Sequence, residues 1–487
     1  MKQPWRGPRR APFRPDARRT QPPSGPLETL TVKVQRMAAE GDAIALAEGS
    51  PRVVLVANAV PGDVLEVEVT EAKSSFARAR VKSITTAGPE RIEPPCPLHF
   101  SPGRPGPACG GCDWQQLKYE AQLKYKREIV LDCLRRIGKL KDVPVEETLA
   151  SPQPWAYRNK VQIPFGPPRG TSKQPVAGFY ATGSHQIVDF EACPVQPELS
   201  VKIALKLKTM AARFGWHAYE EDRRRGWLRH LYVRSNSQGK ALAALVTAGP
   251  QLPKQDDFIA EMKASFPEVI SLYQNVQPEQ TSVILGPQWR HLWGAKGLEE
   301  KIGRFTFRSS PGAFLQINTP AAEKLYDSAL AALKEGSKTF DLALDVYCGV
   351  GTLSLWVAAA ARRVIGIEEN RDAVRDAYKN AELNGVKNVR FSAGRAEAVL
   401  PRLLKESMPE RCAVLVDPPR MGLSRAVLHC MTDRRIQRLV YVSCNPATFA
   451  RDAAFLGQSG FALKTVQPVD LFPQTSHVEC VGLFDRP

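Results

Sequence analysis

The chain has 487 residues, 43% of them hydrophobic and 24% charged, which is the composition of a globular protein of about three domains. No apolar run is long enough to span a membrane, and the Pro- and Arg-rich N-terminus lacks the apolar segment of a secretory signal. We therefore expect a cytoplasmic protein with no membrane partner and no obligate protein partner. The formal net charge of +17 favours nucleic acid as a partner, although a basic surface that only aids solubility would give the same charge.

The first 88 residues divide into a tail and a small domain. Residues 1–25 contain seven Arg or Lys, one Asp and no apolar period, which predicts a disordered basic tail. Residues 26–88 consist of short alternating apolar runs separated by turn signals, and this pattern predicts a small β-barrel of the OB type. The stretch "LTVKVQRMAAEGDAIAL" resembles the TRAM domain of RNA-modifying enzymes. The basic residues near one edge of this barrel, which suit oligonucleotide binding, are Lys73, Arg78, Arg80 and Lys82.

Residues 89–300 mix helical and strand patterns, and we expect a middle domain of α/β or mostly β structure there. Within it, the basic stretch 221–234 interleaves arginines with Trp227 and Tyr232. Such interleaving is compatible with phosphate contacts and base stacking on RNA. Solvated charges beside an amphipathic strand explain the same pattern nearly as well.

Four cysteines mark the start of this middle domain and a later point in it: Cys96, Cys109, Cys112 and Cys193. The chain has ten cysteines and no secretory signal, and in a reducing compartment clustered cysteines more often hold a metal or act in catalysis than form disulfides. By itself the pattern allows zinc, an iron–sulfur cluster or a thiol pair.

Residues 301–487 alternate regularly between apolar strands and amphipathic helices, which predicts a doubly wound, mainly parallel α/β sheet. The last 27 residues contain two strand patterns with no helix between them. We expect them to form an antiparallel hairpin at one sheet edge, as in methyltransferases that bind S-adenosylmethionine. The predicted fold is therefore a Rossmann-like methyltransferase domain preceded by the barrel and the middle domain.

A candidate cofactor site follows the first strand of this sheet. Gly349 and Gly351 stand between a strand and a helix in "LDVYCGVGTLSL", where glycine lets the backbone turn tightly and approach a ligand. Glu368 ends the next strand, where a carboxylate can accept hydrogen bonds from both ribose hydroxyls. A dinucleotide fits this pattern too, but a third phosphate-side glycine is missing and Asp345 lies in the preceding strand. Both features favour S-adenosylmethionine, and a packing turn without a ligand is the remaining alternative.

Two later strands end in residues that can do chemistry. The fourth strand ends in "LVDPPRMGL", where Asp417 and two prolines form a stiff turn at the ligand-binding edge. Amino-group methyltransferases place an aromatic residue where this chain has Arg420, and RNA cytosine-5 methyltransferases carry a cysteine in this turn, so both classes are disfavoured. The fifth strand brings Cys444 to the same edge in "LVYVSCNPATFARD", and the helix that follows would favour its thiolate.

Cys444 and Glu479 together suit methylation of carbon 5 of a pyrimidine. That carbon is a poor nucleophile until a thiolate adds at carbon 6, and a base must then remove the carbon 5 proton so that the thiolate can leave. Glu479 lies between apolar residues in "SHVECVGLF", where burial would raise its pKa toward the working range of a base. The alternatives are a packing role for Cys444 and a strand-edge salt bridge for Glu479.

These motifs, together with "FLQIN", resemble the RNA uracil-5 methyltransferases of the TrmA, RlmC and RlmD type from Leu27 onward. The resemblance implies that Cys444 is the nucleophile and Glu479 the proton-abstracting base. It departs from the family at Arg395, where relatives often carry an acid or an amide near the adenine. The residues that it places around the cofactor, in addition to Gly349 and Gly351, are Gln316, Tyr347, Thr352, Glu368 and Asp417.

The four cysteines and the barrel are most similar to the RlmD branch, whose members hold a 4Fe-4S cluster and act on 23S rRNA. The resemblance thus implies a 4Fe-4S cluster on these cysteines, with zinc as the alternative, although the twelve residues between Cys96 and Cys109 exceed the family spacing. A longer loop is tolerable because closure entropy rises slowly with length. The expected partner is RNA: a 23S rRNA uridine first and a tRNA T-loop uridine second. A non-catalytic iron–sulfur RNA-binding protein is the alternative of another class.

Overall fold

In a computed structural model of the protein, the described residues are 28–47, 52–337, 339–405 and 411–486. The predicted tail at 1–25 lies outside them. In these ranges no helix combines the length and apolar character needed to cross a membrane.

The N-terminal domain is a closed five-stranded barrel, as predicted. Its strands alternate buried and exposed positions, so valine and alanine side chains fill the interior while charged residues face outward. The strands are β1 (Thr29–Met37), β2 (Ala43–Ala47), β3 (Val53–Val56), β4 (Val64–Ala72) and β5 (Phe76–Thr86).

The four basic residues predicted at the barrel edge are each paired with a carboxylate. Arg80 and Lys82 on β5 face Glu68 and Glu66 across β4, at 2.7 and 3.0 Å. Lys73 pairs with Glu71 and Arg78 with Asp42 in the same way. RNA phosphates would have to compete with these acids, although exposed ion pairs of this kind contribute only about 0–1 kcal/mol each.

The middle of the chain contributes a long helix and a seven-stranded sheet. Helix α1 (Tyr119–Arg136) follows the first three cysteines. The sheet has the order β12-β11-β10-β9-β6-β7-β8, and α2 and α3 pack on it. Its elements are β6 (Lys160–Gly166), β7 (Val176–Tyr180), β8 (Ile187–Asp189), α2 (Glu198–Phe214), β9 (Leu228–Ser235), β10 (Ala241–Thr247), α3 (Gln255–Ser265), β11 (Val269–Val276) and β12 (Gln288–Gly294).

The predicted stacking role in the stretch 221–234 is wrong for Tyr232, which is 1% exposed in the centre of the sheet. Trp227 is partly exposed and packs against Trp216 with ring centroids 5.1 Å apart. Arg229 is buried and donates to the carbonyl oxygens of residues 277 and 279. Only the turn before β9 exposes its arginines, at 223–225. All eight residues of β9 are buried, because helices cover one face of the sheet and other parts of the chain cover the second face. The sequence of the strand alone does not show this double coverage.

The C-terminal domain is the predicted doubly wound sheet, with the order β17-β16-β15-β18-β19-β21-β20. All its strands are parallel except β21, which is antiparallel to both neighbours and forms the expected terminal hairpin with β20. A hairpin, β13 with β14, precedes it. Its elements are β13 (Leu298–Ile302), β14 (Phe305–Ser309), α4 (Thr319–Lys334), β15 (Phe340–Val346), α5 (Thr352–Val357), β16 (Ala361–Glu368), α6 (Arg371–Leu383), β17 (Val389–Ala393), α7 (Ala396–Lys405), β18 (Cys412–Val416), α8 (Arg425–Cys430), β19 (Ile436–Ser443), α9 (Pro446–Gln458), β20 (Ala462–Val469) and β21 (Glu479–Asp485).

One apolar core runs from the barrel through α1 to the face of the C-terminal sheet that α9 covers. Helix α1 therefore packs against α9 and β20 rather than within the middle sheet. The domain boundaries of the sequence analysis stay predictions, and the one between residues 300 and 301 falls within β13.

Candidate active site

The carboxyl ends of the parallel strands and the start of β21 border one cleft of about 900 Å³. That volume is at the upper end of the range for small-molecule sites, which leaves room for a cofactor together with a base. The predicted site residues on its wall are Gln316, Tyr347, Gly349, Glu368, Asp417, Cys444 and Glu479. Gly351 and Thr352 lie behind the wall, where Gly351 caps α5 and Thr352 is its first residue.

The turn between β15 and α5 is held in an unusual backbone conformation. Tyr347, Gly349 and Gly351 have φ values of 72°, 55° and 84°, in the left-handed region that a non-glycine residue rarely occupies. At Gly351 a Cβ atom would lie 2.9 Å from the ring of Phe391, so glycine is required there for space as well as for φ. Strain at Tyr347 is typical of a turn shaped for a ligand.

Glu368 is tied to this turn by its carboxylate. The backbone N–H of Gly349 donates to Oε2 at 3.1 Å, and the N–H of Asn370 donates to Oε1 at 2.8 Å. Each oxygen keeps a second lone pair for the hydroxyls of a ribose. The glycine turn and the acid, predicted from sequence as one site, therefore form one site.

Cys444 is half-buried and lies directly after β19, two residues before the N-terminus of α9. The pKa of its thiol is raised to about 12, mainly by burial, then by the charges of Glu479 and Asp417, with Arg420 opposing. The expectation that the N-terminus of α9 would favour the thiolate is therefore wrong in its net direction. The side chain of Asn445 already accepts the N–H groups of residues 447 and 448, and burial, followed by the two nearby carboxyls, raises the pKa of the thiol.

Two carboxyl groups, the buried Glu479 and the half-buried Asp417, act on the thiol. Burial raises the pKa of Glu479 to about 8, as expected, and the neighbouring Asp417 adds to the shift while Arg420 reduces it. Burial also raises the pKa of Asp417 to about 7, with Asp345 contributing. Both acids can therefore hold or release a proton near neutral pH, the range in which a general base is most effective.

Arg420 and His477 complete the wall next to the thiol. The guanidinium of Arg420 lies 3.4 Å from Nε2 of His477. The Arg420 carbonyl accepts hydrogen bonds from the side chains of Asn445, which caps α9, and of Thr448 within α9. Partial desolvation in the cleft, then the charge of Arg420, lower the pKa of His477 to about 4, although its side chain is exposed to solvent. Sequence reasoning missed His477, although it stands two residues before Glu479. Arg395, the departure from the family, also lines the cleft and lies 3.5 Å from Glu397.

Comparisons with known proteins agree with this architecture. The family model described as tRNA (uracil-5-)-methyltransferase matches residues 296–486, and the TRAM domain model matches residues 26–82. An "uncharacterized RNA methyltransferase" of Halalkalibacterium halodurans is 38% identical over 467 residues, which cover 96% of this chain and 98% of the relative. A second, from Gloeobacter violaceus, is 40% identical over 461 residues, covering 94% and 97%. The chain belongs to the RNA uracil-5 methyltransferase family.

A solved structure supports the fold of this family member over nearly its whole length. The Pyrococcus abyssi tRNA (uracil-54, C5)-methyltransferase in complex with S-adenosyl-L-homocysteine superposes with a TM-score of 0.72 at 25% identity, covering 93% of this chain and all of that one. The predicted barrel and methyltransferase fold are therefore confirmed.

The four predicted cysteines of this methyltransferase meet at one place, away from the cleft. Cys96, Cys109, Cys112 and Cys193 line a single small cavity between the chain before α1 and the middle sheet. Burial raises the pKa of the Cys112 thiol to about 12 and that of Cys193 to about 11. Over the described ranges, no three His, Cys, Asp or Glu side chains come together as a site for a single metal ion.

Polar groups without partners surround these cysteines. Nε2 of His99, Nε of Arg158 and the side-chain amide of Gln196 are buried at the cavity and make no hydrogen bond to the protein. The N–H groups of Arg158 and Gln196 suit an anionic, sulfur-rich group, since thiolates and sulfides accept hydrogen bonds, whereas Nδ1 of His99 donates to the carbonyl of Phe100 and leaves Nε2 of the neutral ring as an acceptor. The residues present thus fit a metal–sulfur group.

Proposed function

We propose that this protein methylates carbon 5 of a uridine in 23S rRNA, with S-adenosylmethionine as methyl donor and Cys444 as covalent nucleophile. The observation that carries the proposal is the placement of Cys444, Asp417 and Glu479 in the same cleft as the Gly349–Glu368 turn. A nucleophile, a base and a ribose-binding acid within one cavity are what this reaction requires.

The cofactor-binding residues would be those on the wall of the cleft and the turn behind it. When bound, S-adenosylmethionine supplies an electrophilic methyl group on a sulfonium. Glu368 would accept the ribose hydroxyls, and Tyr347, Gly349, Gly351 and Thr352 would shape the turn around the amino acid part. Gln316 and Asp417 would lie between the cofactor and the uracil.

The chain's own groups would carry out the rest of the reaction. The Cys444 thiolate adds to carbon 6, and the electron pair moves to carbon 5, which takes the methyl group. The Glu479 carboxylate then removes the carbon 5 proton, the carbon 5–carbon 6 double bond reforms, and the thiolate leaves. A pKa of about 8 suits Glu479 to this step, because it is a stronger base than an ordinary carboxylate.

Substitution of the nucleophile tests the mechanism. Cys444→Ala should abolish methyl transfer and retain RNA binding, whereas Cys430→Ala, which changes a half-buried cysteine on α8, should leave the rate unchanged. Methyl transfer by Cys444→Ala at the parent rate would overturn the assignment. No methyl transfer by the parent protein itself would instead favour the non-catalytic RNA-binding alternative.

The choice of RNA rests on the likeness to the RlmD type, which combines the barrel with four cysteines. A tRNA uridine is the second candidate, because the family model and the Pyrococcus abyssi structure are both named for tRNA. Mapping 5-methyluridine in rRNA and tRNA from a strain lacking this protein separates the two. Loss of one 23S rRNA site supports the proposal, and loss confined to tRNA overturns it in favour of the second candidate.

We further propose that the four cysteines hold a 4Fe-4S cluster rather than zinc. The support is the resemblance to the RlmD type, the cavity that all four cysteines line, and the buried N–H groups of Arg158 and Gln196 there that have no hydrogen-bond partner. Anaerobically purified protein should contain equal iron and sulfide and lose both in Cys193→Ser. Stoichiometric zinc instead would overturn the proposal.

A further inference from the structure

The loop between β20 and β21, residues 470–478, carries active-site groups, and most of its hydrogen bonds to other segments go to residues outside its own domain. We name it the strap loop. Its residues Phe472 and His477 line the cleft, and it leads directly into Glu479. Since Glu479 is the first residue of β21, the position of its carboxylate follows the conformation of this loop.

The strap loop is bonded to the two residues that follow Cys112. The backbone N–H of Ser476 donates to both carboxylate oxygens of Asp113, at 3.1 and 3.3 Å. The backbone N–H of Trp114 donates to the carbonyl of Gln474 at 3.1 Å. Hydrogen bonds of two successive residues, Asp113 and Trp114, thus join the cysteine segment to the loop that precedes Glu479. Asp113 is the residue next to Cys112, a proposed cluster ligand.

Helix α1 holds the other half of the loop. The side chains of Gln122 and Gln474 are joined at 3.0 Å, and the N–H of Gln474 donates back to Gln122 at 2.9 Å. Lys126, fully buried, donates to Asp470 at 2.5 Å and to the carbonyl of Phe472 at 3.0 Å. These bonds impose the loop's shape, since Gln474 has a φ of 69°, a conformation that a glutamine does not adopt without external support.

The barrel closes the same junction from a third side. Nε1 of Trp114 donates to the carbonyl of Gly41 at 3.1 Å. A Cβ atom at Gly41 would lie 2.3 Å from Oδ2 of Asp113 and 2.8 Å from Oγ of Ser476. The absence of a side chain at Gly41 thus lets the barrel backbone approach Asp113 and Ser476 closely, and any side chain there would displace one of them.

We propose that Asp113 is a positioning residue that sets the Glu479 carboxylate through the strap loop and so links the cysteine site to proton removal. The proposal rests on the function proposed above. In that reaction the methylated adduct breaks down only when Glu479 takes the carbon 5 proton and the sulfur–carbon 6 bond opens. A displaced Glu479 leaves the earlier steps intact and traps the adduct.

The test follows a labelled methyl group from S-adenosylmethionine into RNA isolated from a strain lacking this protein. In Glu479→Gln and in Asp113→Asn, label should accumulate in an SDS-stable protein–RNA band. Release of methylated RNA by Asp113→Asn should fall on the order of 100-fold, the usual cost of a misplaced catalytic group. The control is Asp63→Asn, which changes another buried carboxylate that accepts backbone N–H groups; it stands between β3 and β4 of the barrel and also pairs with Arg91 at 2.6 Å. It should leave no protein-linked label.

Different outcomes overturn different claims. Linked label in Glu479→Gln but not in Asp113→Asn overturns the positioning role alone. Methylation by the parent protein without linked label in Glu479→Gln overturns the proposed function instead.

Hydrogen exchange supplies a readout that needs no variant and no RNA. Chelation of the metal in the parent protein should make the amides of Gln474 and Ser476 exchange about tenfold faster, as expected when supporting bonds are lost. If chelation leaves the exchange rates of these two amides unchanged, the proposed link between the cysteine site and the strap loop is overturned.

Discussion

The side chain of Asn445 donates to the carbonyl oxygen of Arg420 at 3.1 Å, and so ties the residue after the nucleophile to the turn that carries Asp417. The same side chain caps α9 through its oxygen. One amide thereby fixes the relative positions of Cys444 and Asp417.

Replacing Asn445 should reduce both stability and activity. Asn445→Ala removes the cap of α9 and should lower the free energy of unfolding by about 1 kcal/mol. The methylation rate should fall further than that loss explains, because Cys444 and Asp417 would no longer be held together. Urea unfolding and single-turnover methylation measure the two effects. Asn388→Ala removes two buried amide bonds at the opposite edge of the sheet and should lower stability without lowering the rate of the folded protein.

Removing the charge of Arg420 should move the pH dependence of methyl transfer upward. Arg420 lowers the pKa of both Cys444 and Glu479 against the effect of burial, so Arg420→Gln should raise both. Because the thiolate and the carboxylate are the active forms, the rising limb of the rate profile should shift to higher pH. A profile with the parent midpoint and only a lower plateau would mean that Arg420 contacts RNA without tuning either group.

Glu479 should lower the free energy of unfolding at alkaline pH. Its pKa in the folded chain, about 8, lies above the ordinary value of 4.5, so the folded state binds the proton more tightly than the unfolded state. The free energy of unfolding should therefore decrease as pH rises from 4.5 to 8, and Glu479→Gln should remove that decrease.

The comparison at two pH values checks this sign. At pH near 9 the variant should be more stable than the parent by on the order of 5 kcal/mol, with the difference much smaller at pH near 4. Glu147→Gln, at an 83% exposed side chain, should have no such effect. A variant less stable than the parent at alkaline pH would contradict the burial argument.

Cofactor affinity should depend on Glu368. Glu368→Gln removes a charged acceptor for the ribose, and a hydrogen bond to a charged group is worth about 1.5–3 kcal/mol, so affinity for S-adenosylhomocysteine should fall about 10- to 100-fold. Calorimetry on the free protein measures this without RNA. Glu382→Gln, on the exposed face of α6, should bind like the parent. Equal affinity in Glu368→Gln would place the ribose elsewhere.

The local sequence pattern was sufficient to predict the strands and helices and the site residues that stand at strand ends. Alternating apolar residues predicted the barrel and the order of strands and helices, and the glycine turn, Glu368, Asp417 and Cys444 each stand at a strand end. Because parallel strands present their carboxyl ends at one edge, strand-end residues could be placed together from spacing alone. The terminal hairpin placed Glu479 at that edge in the same way.

What spacing could not supply were contacts between distant segments and the electrostatics that burial creates. Asp113 and Ser476 are separated by 363 positions, and no local period records that they meet. The burial of Tyr232, the acidic partners of the barrel's basic residues and the raised pKa of Cys444 likewise depend on which surfaces pack together. Backbone preference and hydrophobic period act over a few residues, whereas desolvation and ion pairing act through space, so they exist only in the assembled fold.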